Sequence, residues 1–140
     1  MSGQDYRYIL DGGVRILVVD DDPIQREFAT VFLSGPEASV ETACDGAEGL
    51  AKLRAGRYDI VLLDLEMPVM NGLETLRAIR ADSAFAYLPV IMVTSCEDMA
   101  SIDSAYDNGA TSFVTKPVNW RLLAYQVRYV LRASGYSRAA

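Results

Sequence analysis

The sequence contains no histidine, only two cysteines and no long apolar run. Because zinc sites depend on clustered histidine and cysteine, we expect no zinc site, and two isolated cysteines give no disulfide framework. The apolar stretches are far shorter than the roughly 18 residues typical of a membrane-spanning helix, and residues 1–13 lack the apolar region of a signal peptide. We therefore expect a cytoplasmic protein that does not associate with membranes.

Basic residues are also scarce. Lysine and arginine number 13 against 19 acidic residues, which gives a net charge of −6. Nucleic-acid-binding surfaces need clustered basic side chains, so we expect no direct binding of nucleic acid by this chain. Its 140 residues suit one domain. We assign that domain to residues 13–133, with a flexible N-terminal extension at 1–12 and a C-terminal tail or linker at 134–140.

Short apolar runs predict five β-strands, at residues 14–19, 38–44, 58–63, 88–94 and 111–115. Three of them, "VRILVV", "YDIVLL" and "LPVIMVT", are almost continuous in Val, Ile and Leu. Such runs are typical of strands that are buried on both faces of a parallel sheet. The run at 38–44 alternates apolar and polar residues, so we expect it at an edge of the sheet.

Segments with helical periodicity separate these strands. The first begins at Asp22-Pro23, a capping residue followed by proline at the first helical position. Its apolar stripe consists of Ile24, Phe28, Val31 and Phe32. The other helices begin near residues 45, 71, 97 and 119, and the inward face of the last comprises Leu122, Leu123, Val127, Val130 and Leu131. Five βα units predict an α/β fold, (βα)5, with a doubly wound parallel five-stranded sheet.

Chemically reactive side chains close or directly follow four of the predicted strands. They are Asp20, Asp21, Asp22, Asp64, Thr94, Ser95 and Lys116. The carboxyl ends of parallel strands meet at one edge of the sheet, where open α/β folds bind their ligands. We therefore expect most of these groups in a single crevice. Asp22 is the exception, because the proline after it favours a helix cap.

The charges in this crevice narrow the choice of ligand. Two carboxylates about 4 Å apart repel by about 4 kcal/mol at an effective dielectric of about 20, so the crevice needs a cation or a protonated carboxyl group. Oxygen ligands, few of them from the protein, favour Mg²⁺ over Ca²⁺. A cation, a hydroxyl and a lysine together suit a phosphoryl group. A carboxylate can also be the nucleophile, and Asp64, at the end of the expected central strand, is best placed for that role.

The segments "ILVVDDDP", "DIVLLDLEMPVMNG", "VIMVTS" and "FVTKP", in this order, resemble the motifs of response-regulator receiver domains (CheY-like) of two-component signalling. The resemblance covers residues 14–133. It implies a flavodoxin-like strand order of 2-1-3-4-5. It also implies a regulatory switch rather than an enzyme, phosphorylated by a histidine kinase or a phosphotransfer protein.

The same resemblance implies roles for individual residues. Asp64 is the implied phosphoacceptor. The implied magnesium ligands are Asp20 (mainly through water), Asp21, Asp64 and the backbone carbonyl of Glu66. The implied partners of the phosphoryl group are Thr94, Ser95 and Lys116, and the implied switch residues are Thr94 and Phe113. Phe113 also fits an ordinary core position. The family pattern further implies a cis Lys116–Pro117 bond and a loop glycine at Gly72.

Receiver domains commonly signal through their fourth helix, fifth strand and fifth helix. The charged and aromatic residues of that surface are here Asp98, Asp103, Asp107, Trp120, Arg121, Tyr125 and Arg128. An acidic helix beside a basic one is self-complementary across a two-fold axis, so a phosphorylation-dependent homodimer is one hypothesis and an ordinary solvated face is the other. The C-terminal helix resembles receivers that precede cyclic-di-GMP domains. A stand-alone receiver and a piece of a larger regulator are therefore both open.

Two functions of other classes also stay open at this point. An aspartyl-phosphate-type phosphatase would use similar chemistry, but that class needs a D-x-D-x-T/V strand end and a cap domain, whereas this chain has "DDDPI". A non-phosphorylated adaptor or dimerisation module would have no use for the acidic residues together with Thr94 and Lys116.

Overall fold

Residues 9–95 and 97–135 are described by a computed structural model, in which strands and helices alternate along the chain. The strands are β1 (Val14–Val19), β2 (Ala38–Ala43), β3 (Ile60–Asp64), β4 (Val90–Thr94) and β5 (Ser112–Thr115). The helices are α1 (Pro23–Leu33), α2 (Gly46–Ala55), α3 (Gly72–Ala81), α4 (Met99–Asp107) and α5 (Trp120–Ala133). A short 3₁₀ turn, Ser83–Phe85, lies between α3 and β4. The predicted (βα)5 pattern is confirmed.

The strands form one parallel sheet in the order β2-β1-β3-β4-β5. Both the predicted strand order and the edge position of β2 are confirmed. The register aligns the strand ends: Asp64, the last residue of β3, lies opposite Val93, and Thr94, the last residue of β4, lies opposite Thr115. The carboxyl ends of the strands therefore share one edge of the sheet.

Helices cover the sheet on both faces. Residues of α1 and α5 pack on one face, and residues of α2, α3 and α4 pack on the other. Every residue of β3 and β4 is buried, as expected for central parallel strands. Among the described helices, none has the length and apolar character that a membrane span requires.

The apolar stripe predicted on α1 is not the face that this helix buries. Its four side chains are 43% to 61% exposed. The helix instead buries Ala29 and Leu33, which lie one turn apart. Apolar residues occupy much of the circumference of this short helix, so the periodicity was compatible with more than one buried face. The prediction chose the wrong one.

The prediction for α5 was wrong at one position. Leu122 is 53% exposed, whereas Leu123 is buried together with Val127 and Val130. These three buried residues follow the i, i+4, i+7 spacing of one helix face. Leu122 points about 100° away from Leu123 around the helix axis, so both cannot face the sheet.

The packed region begins before residue 13, where the predicted domain starts. Ile9 and Leu10 are 7% and 4% exposed and belong to the core on the α1 and α5 side of the sheet. Two isolated apolar residues have no periodicity that the sequence could reveal. Residues 1–8 of the expected extension and 136–140 of the expected tail lie outside the described residues.

Side-chain caps begin the helices. The Asp22 carboxylate accepts a hydrogen bond of 2.9 Å from the Ile24 N–H, so the predicted capping role of Asp22 is confirmed. Asn71 and Glu74 form a reciprocal capping box at the start of α3. Helix α4 begins at Met99, with Asp98 as its cap, which is two residues later than predicted.

Candidate functional site

Four strand ends bring the predicted polar side chains into one crevice. Asp20 follows β1, Asp64 ends β3, Thr94 ends β4 and Lys116 follows β5. Asp20 and Asp64 are each 5% exposed and Thr94 is fully buried, and they are polar residues in a largely apolar interior. Burying such groups is costly unless they are paired or bind a ligand. Their convergence therefore marks this edge of the sheet as the candidate site.

Three carboxylates form an acidic cluster in this crevice. One oxygen from each of Asp20, Asp21 and Asp64 lies within 4.8 Å of the other two. Asp21 is exposed, which leaves the cluster open to solvent on one side. Carboxylate oxygens without histidine or cysteine suit a hard divalent cation, and a small number of protein ligands favours Mg²⁺. The residues present therefore fit a magnesium ion.

Lys116 supplies the cationic side chain of the crevice. Its Nζ donates a hydrogen bond of 3.0 Å to Asp20 Oδ2 and lies 3.6 Å from Asp64 Oδ2. Burial disfavours the charged form of Lys116, but the hydrogen bond to Asp20 and the charge of Asp64 outweigh it, so the pKa of Lys116 is raised above its ordinary value. The lysine therefore holds its positive charge between two carboxylates.

The position of Asp64 disfavours the ionised form of its carboxyl group. Burial, and after it the negative charge of Asp20, raises the pKa of Asp64 from 3.8 to about 6. Lys116 and the Glu66 N–H, which donates to Asp64 Oδ1 at 3.2 Å, act in the opposite direction without cancelling this rise. One lysine does not neutralise the cluster, so the crevice favours additional positive charge beside Asp64.

Asp20 is held by contacts on its side chain and its backbone. Its Oδ1 accepts a hydrogen bond of 2.9 Å from the Asp22 N–H, while Oδ2 accepts the bond from Lys116. Arg26 Nη1 donates a hydrogen bond of 2.7 Å to the backbone carbonyl of Asp20. Sequence reasoning missed Arg26. No motif signals it, because its role depends on how the first turn of α1 folds back over the end of β1.

The loop after β3 owes its path to Gly72. A Cβ on Gly72 would lie 2.2 Å from the Asp64 carbonyl oxygen and 2.6 Å from the Leu65 Cα, so no other residue fits there. The Gly72 N–H also donates to the Leu65 carbonyl at 2.8 Å. This close approach ties the start of α3 to the end of β3 and positions Glu66 beside Asp64. The role predicted for the Glu66 carbonyl, that of a metal ligand, stays a prediction.

The other predicted phosphoryl and switch residues lie at the end of β4 and on β5. The Ser95 hydroxyl donates a hydrogen bond of 3.2 Å to Glu66 Oε1. A backbone hydrogen bond connects Thr94 with Lys116: the Lys116 N–H donates to the Thr94 carbonyl at 2.8 Å. Phe113 is half-buried and packs against the core on the α2, α3 and α4 side. The Lys116–Pro117 peptide bond is cis, as predicted.

Trp120 does not lie where the sequence analysis put it. It was predicted on the output surface, but its indole stacks on Phe32 of α1, with ring centres 6.2 Å apart and planes 8° from parallel. It also lines a small cavity of about 10 Å³ beneath Asp20 and Asp64, together with Gln25. Trp120 therefore belongs to the interface between α1 and α5 and to the floor of the candidate site.

The remaining residues predicted for the output surface lie on α4, on its capping residue and on α5. The exposed ones are Asp98, Asp103, Asp107, Arg121 and Tyr125. Arg128 is half-buried, and its guanidinium carbon lies 4.8 Å from the centre of the Tyr125 ring. This surface thus carries acidic residues along α4 and arginines along α5, as the sequence indicated.

Comparison with known proteins gives the same family from sequence and from structure. The profile of the "Response regulator receiver domain" family matches residues 16–128. A curated relative, the DNA-binding response regulator MtrA of Mycolicibacterium smegmatis, is 40% identical over 118 residues, which are 84% of this chain and 50% of MtrA. The chain thus spans about half the length of the curated relatives it matches.

Two solved structures illustrate the similarity in fold. The chemotaxis protein CheY4 of Vibrio cholerae has a TM-score of 0.79 and 33% identity, with 84% of this chain and 98% of CheY4 covered. The response regulator TrrA of Thermotoga maritima, solved in complex with Mg²⁺ and BeF, has a TM-score of 0.74 and 35% identity, with the same coverage of 84% and 98%. The family profile covers most of the chain, and the solved relatives share its fold. The crevice at the strand ends also lies where the family pattern predicts it. This chain therefore belongs to the response regulator receiver domains of two-component signalling.

Proposed function

We propose that the protein is a switch that accepts a phosphoryl group on Asp64 from a phosphohistidine, in the presence of Mg²⁺. The observation that carries this proposal is the position of the Lys116 Nζ, 3.0 Å from Asp20 and 3.6 Å from Asp64, at the edge of a cluster of three carboxylates. An acidic cation site and an ammonium group on either side of one carboxylate suit phosphoryl transfer to that carboxylate.

In the proposed reaction, a carboxylate oxygen of Asp64 attacks the phosphorus of the phosphohistidine. The P–N bond breaks, its electron pair goes to the imidazole nitrogen, and an acyl phosphate forms on Asp64. The reaction needs the ionised carboxylate, and a pKa of about 6 leaves most of Asp64 ionised at neutral pH. The exposed side of the acidic cluster gives the donor access.

The charged groups of the crevice have separate tasks in this proposal. A Mg²⁺ ion held by Asp20, Asp21, Asp64 and the Glu66 carbonyl would supply positive charge that offsets the charge of the phosphoryl oxygens. Lys116 contacts one of these oxygens from the β5 side, and the hydroxyls of Thr94 and Ser95 donate hydrogen bonds to the phosphoryl group. The response regulator TrrA, a relative with 35% identity, was solved in complex with Mg²⁺ and BeF, which supports Mg²⁺ as the cation of this proposal.

The proposed conformational switch consists of Thr94 and Phe113. Thr94 ends β4 and is buried, while Phe113 lies on β5, the neighbouring strand, opposite Met92. A phosphoryl group that draws the Thr94 hydroxyl toward Asp64 would open space beside β5, into which the half-buried Phe113 ring can turn. This movement would alter the surface made by α4, β5 and α5.

We propose that a histidine kinase or a phosphotransfer protein docks on the apolar α1 face, defined here as Ile24, Phe28, Val31 and Phe32. All four side chains are more than 40% exposed. Exposed apolar patches of this kind commonly mark protein-binding surfaces. The helix begins at Pro23, two residues after Asp21, so a partner that contacts this face can also reach the acidic cluster.

For the output we propose a phosphorylation-dependent homodimer through α4 and α5. Acidic residues at Asp98, Asp103 and Asp107 face solvent, and Arg121 supplies a charge of the opposite sign on α5. Across a two-fold axis each acidic helix would meet the basic helix of the second copy. The relative MtrA is named as a DNA-binding protein, whereas this chain carries a net charge of −6. A link to a cyclic-di-GMP domain stays a hypothesis based on the sequence of the C-terminal helix.

Incubation with acetyl phosphate and Mg²⁺ tests the phosphoacceptor function and separates it from the two alternatives. We expect slow, roughly stoichiometric labelling that Asp64→Asn abolishes. Rapid turnover of external phosphoesters would instead support a phosphatase, and the absence of any label would support an adaptor. The matched control is Asp103→Asn, which removes an exposed carboxylate on α4 and should label normally.

A further inference from the structure

A second polar cavity lies at the edge of the sheet opposite the acidic cluster. It is wide open to solvent, has a volume of about 700 Å³ and is formed where the end of α3, the segment before β4 and the turn before β5 meet. Its charged and polar lining includes Arg77, Arg80, Asp107, Asn108 and Thr111. None of these residues takes part in the proposed phosphoryl transfer.

Arg80 is fixed in the wall of this cavity. Its Nε and Nη2 both donate to the Gly109 carbonyl, at 3.0 and 2.8 Å, and its Nη1 donates to the Phe85 carbonyl at 2.8 Å. The side chain lies flat against Gly109, where a Cβ would come within 2.9 Å of Arg80 Nε. Three of the five N–H groups of the guanidinium are thereby used, which leaves two for a ligand.

Arg77 lies beside Arg80 on the same face of α3, because residues three positions apart are neighbours on a helix surface. Its Nε donates a hydrogen bond of 3.0 Å to Asn108 Oδ1, which orients the guanidinium toward the turn before β5. Arg77 is exposed and Arg80 is half-buried, so the pair presents one donor group at the rim and one inside.

The two positive charges lack a balancing carboxylate. Within the described residues neither guanidinium has a carboxylate oxygen within 4.0 Å, and Asp107, although it lines the cavity, forms no ion pair with them. Burial lowers the pKa of the Arg80 guanidinium. A half-buried cation in this situation gains when an anion binds beside it.

We propose that this cavity binds the oxyanion group of a small molecule, a carboxylate or a phosphate, between the guanidinium groups of Arg77 and Arg80. Guanidinium groups bind both kinds of oxyanion in a planar, two-point geometry. The proposal does not depend on phosphorylation of Asp64. Because Arg80 also holds the Gly109 carbonyl, a bound oxyanion would stabilise the turn between α4 and β5.

Isothermal titration calorimetry of the whole chain in metal-free Tris chloride buffer, with inorganic phosphate and citrate as probes, tests this proposal. We expect saturable binding of at least one probe and a loss of affinity of about tenfold or more in Arg77→Gln, since a hydrogen bond to a charged group is involved. Arg54→Gln, which removes an exposed arginine from α2, is the matched control and should bind like the wild type. Asp64→Asn should also bind like the wild type, which separates this cavity from the acidic cluster.

The two probes also distinguish the source of the oxyanion. Binding of citrate alone indicates carboxylate ligands, binding of phosphate alone indicates phosphorylated ligands, and binding of both supports a general oxyanion site. The proposal is overturned if neither probe gives a heat beyond that of sodium chloride at equal ionic strength. Equal affinities for the wild type and Arg77→Gln would overturn it as well. Arg80→Lys, which keeps the charge but loses the planar fork, should bind more weakly than the wild type.

Discussion

Lys116 Nζ donates a hydrogen bond of 3.0 Å to Asp20 Oδ2 and so joins the ends of β5 and β1, 96 residues apart in the chain. Both side chains are largely buried, at 19% and 7% exposure. Asp64 ends β3, one of the two strands between β1 and β5, and its Oδ2 lies 3.6 Å from the same Nζ. This ion pair thus places an ammonium group beside Asp64, the phosphoacceptor of our proposal, and beside the acidic cluster.

Replacing Lys116 by methionine should lower both the free energy of unfolding and the rate of labelling. The change leaves Asp20 without its ion-pair partner, and we expect the free energy of unfolding in EDTA to fall by about 1–3 kcal/mol. Labelling by acetyl phosphate should slow by about a hundredfold, because the ammonium no longer stabilises the phosphoryl oxygens. Urea denaturation and labelling rates measure the two effects. Lys52→Met, at a half-exposed pair on α2, is the control, and equal labelling rates for both variants would contradict the role of Lys116.

Replacing Asp64 by asparagine should stabilise the protein without metal. The pKa of Asp64 is raised from 3.8 to about 6, so its contribution to stability is present below about pH 4 and is lost as the pH rises through 6. The stability gained by Asp64→Asn should therefore grow between these values and level off above pH 6. We expect about 1–3 kcal/mol at pH 7, measured by urea denaturation in EDTA.

Asp103→Asn serves as the control for that series, because Asp103 is exposed on α4. It should change the unfolding free energy by less than about 0.5 kcal/mol at any pH in this range. If Asp64→Asn is no more stable than the wild type at pH 7, burial does not disfavour the Asp64 carboxylate and our description of the crevice is wrong.

The strand ends show why so much of this site could be predicted. The site residues stand at the ends of short apolar runs: Asp20, Asp64, Thr94 and Lys116. A parallel sheet brings such positions together whatever the details of packing. The prediction therefore needed only the strand positions and the parallel order. Gly72 was also recognisable from the family pattern, although the reason for it, contact with the Asp64 carbonyl, required the structure.

Other features depend on how helices rotate and approach each other, which local sequence does not encode. The apolar residues of α1 fitted a buried stripe, yet Ala29 and Leu33 take that place. Trp120 was predicted on the output surface, but it packs between α5 and α1. The cavity of Arg77 and Arg80 exists because three segments distant in sequence meet there. In each case tertiary packing decided between local possibilities that the sequence left equal.

The apolar α1 face gives a third prediction. Val31→Ser should reduce the rate of phosphotransfer from a phosphorylated histidine kinase or phosphotransfer protein by about tenfold, because the side chain is 61% exposed and free to contact a partner. Labelling by acetyl phosphate, which needs no docking, should not change. Tyr87→Ser, at a side chain that is 94% exposed before β4, is the control. Equal phosphotransfer rates for the two variants would show that the donor docks elsewhere.

The proposed homodimer can be tested by sedimentation equilibrium with Mg²⁺ and beryllofluoride, a mimic of the phosphoryl group. We expect the mass to double when both are added and to stay that of the monomer with Asp64→Asn. Arg121→Glu should weaken the dimer, because it reverses a charge on α5, whereas Arg54→Glu on α2 should not. Monomers under all conditions would eliminate dimerisation as the output.

The most direct test of the account is the chemical position of the phosphoryl group. Treating the labelled protein with borohydride reduces an aspartyl phosphate to homoserine, which peptide mass spectrometry locates within the chain. We predict homoserine at position 64 alone, and none after omission of Mg²⁺ or in Asp64→Asn. Homoserine at Asp20 or Asp21, or a labelled protein with no homoserine at all, would contradict the assignment of Asp64 as the phosphoacceptor.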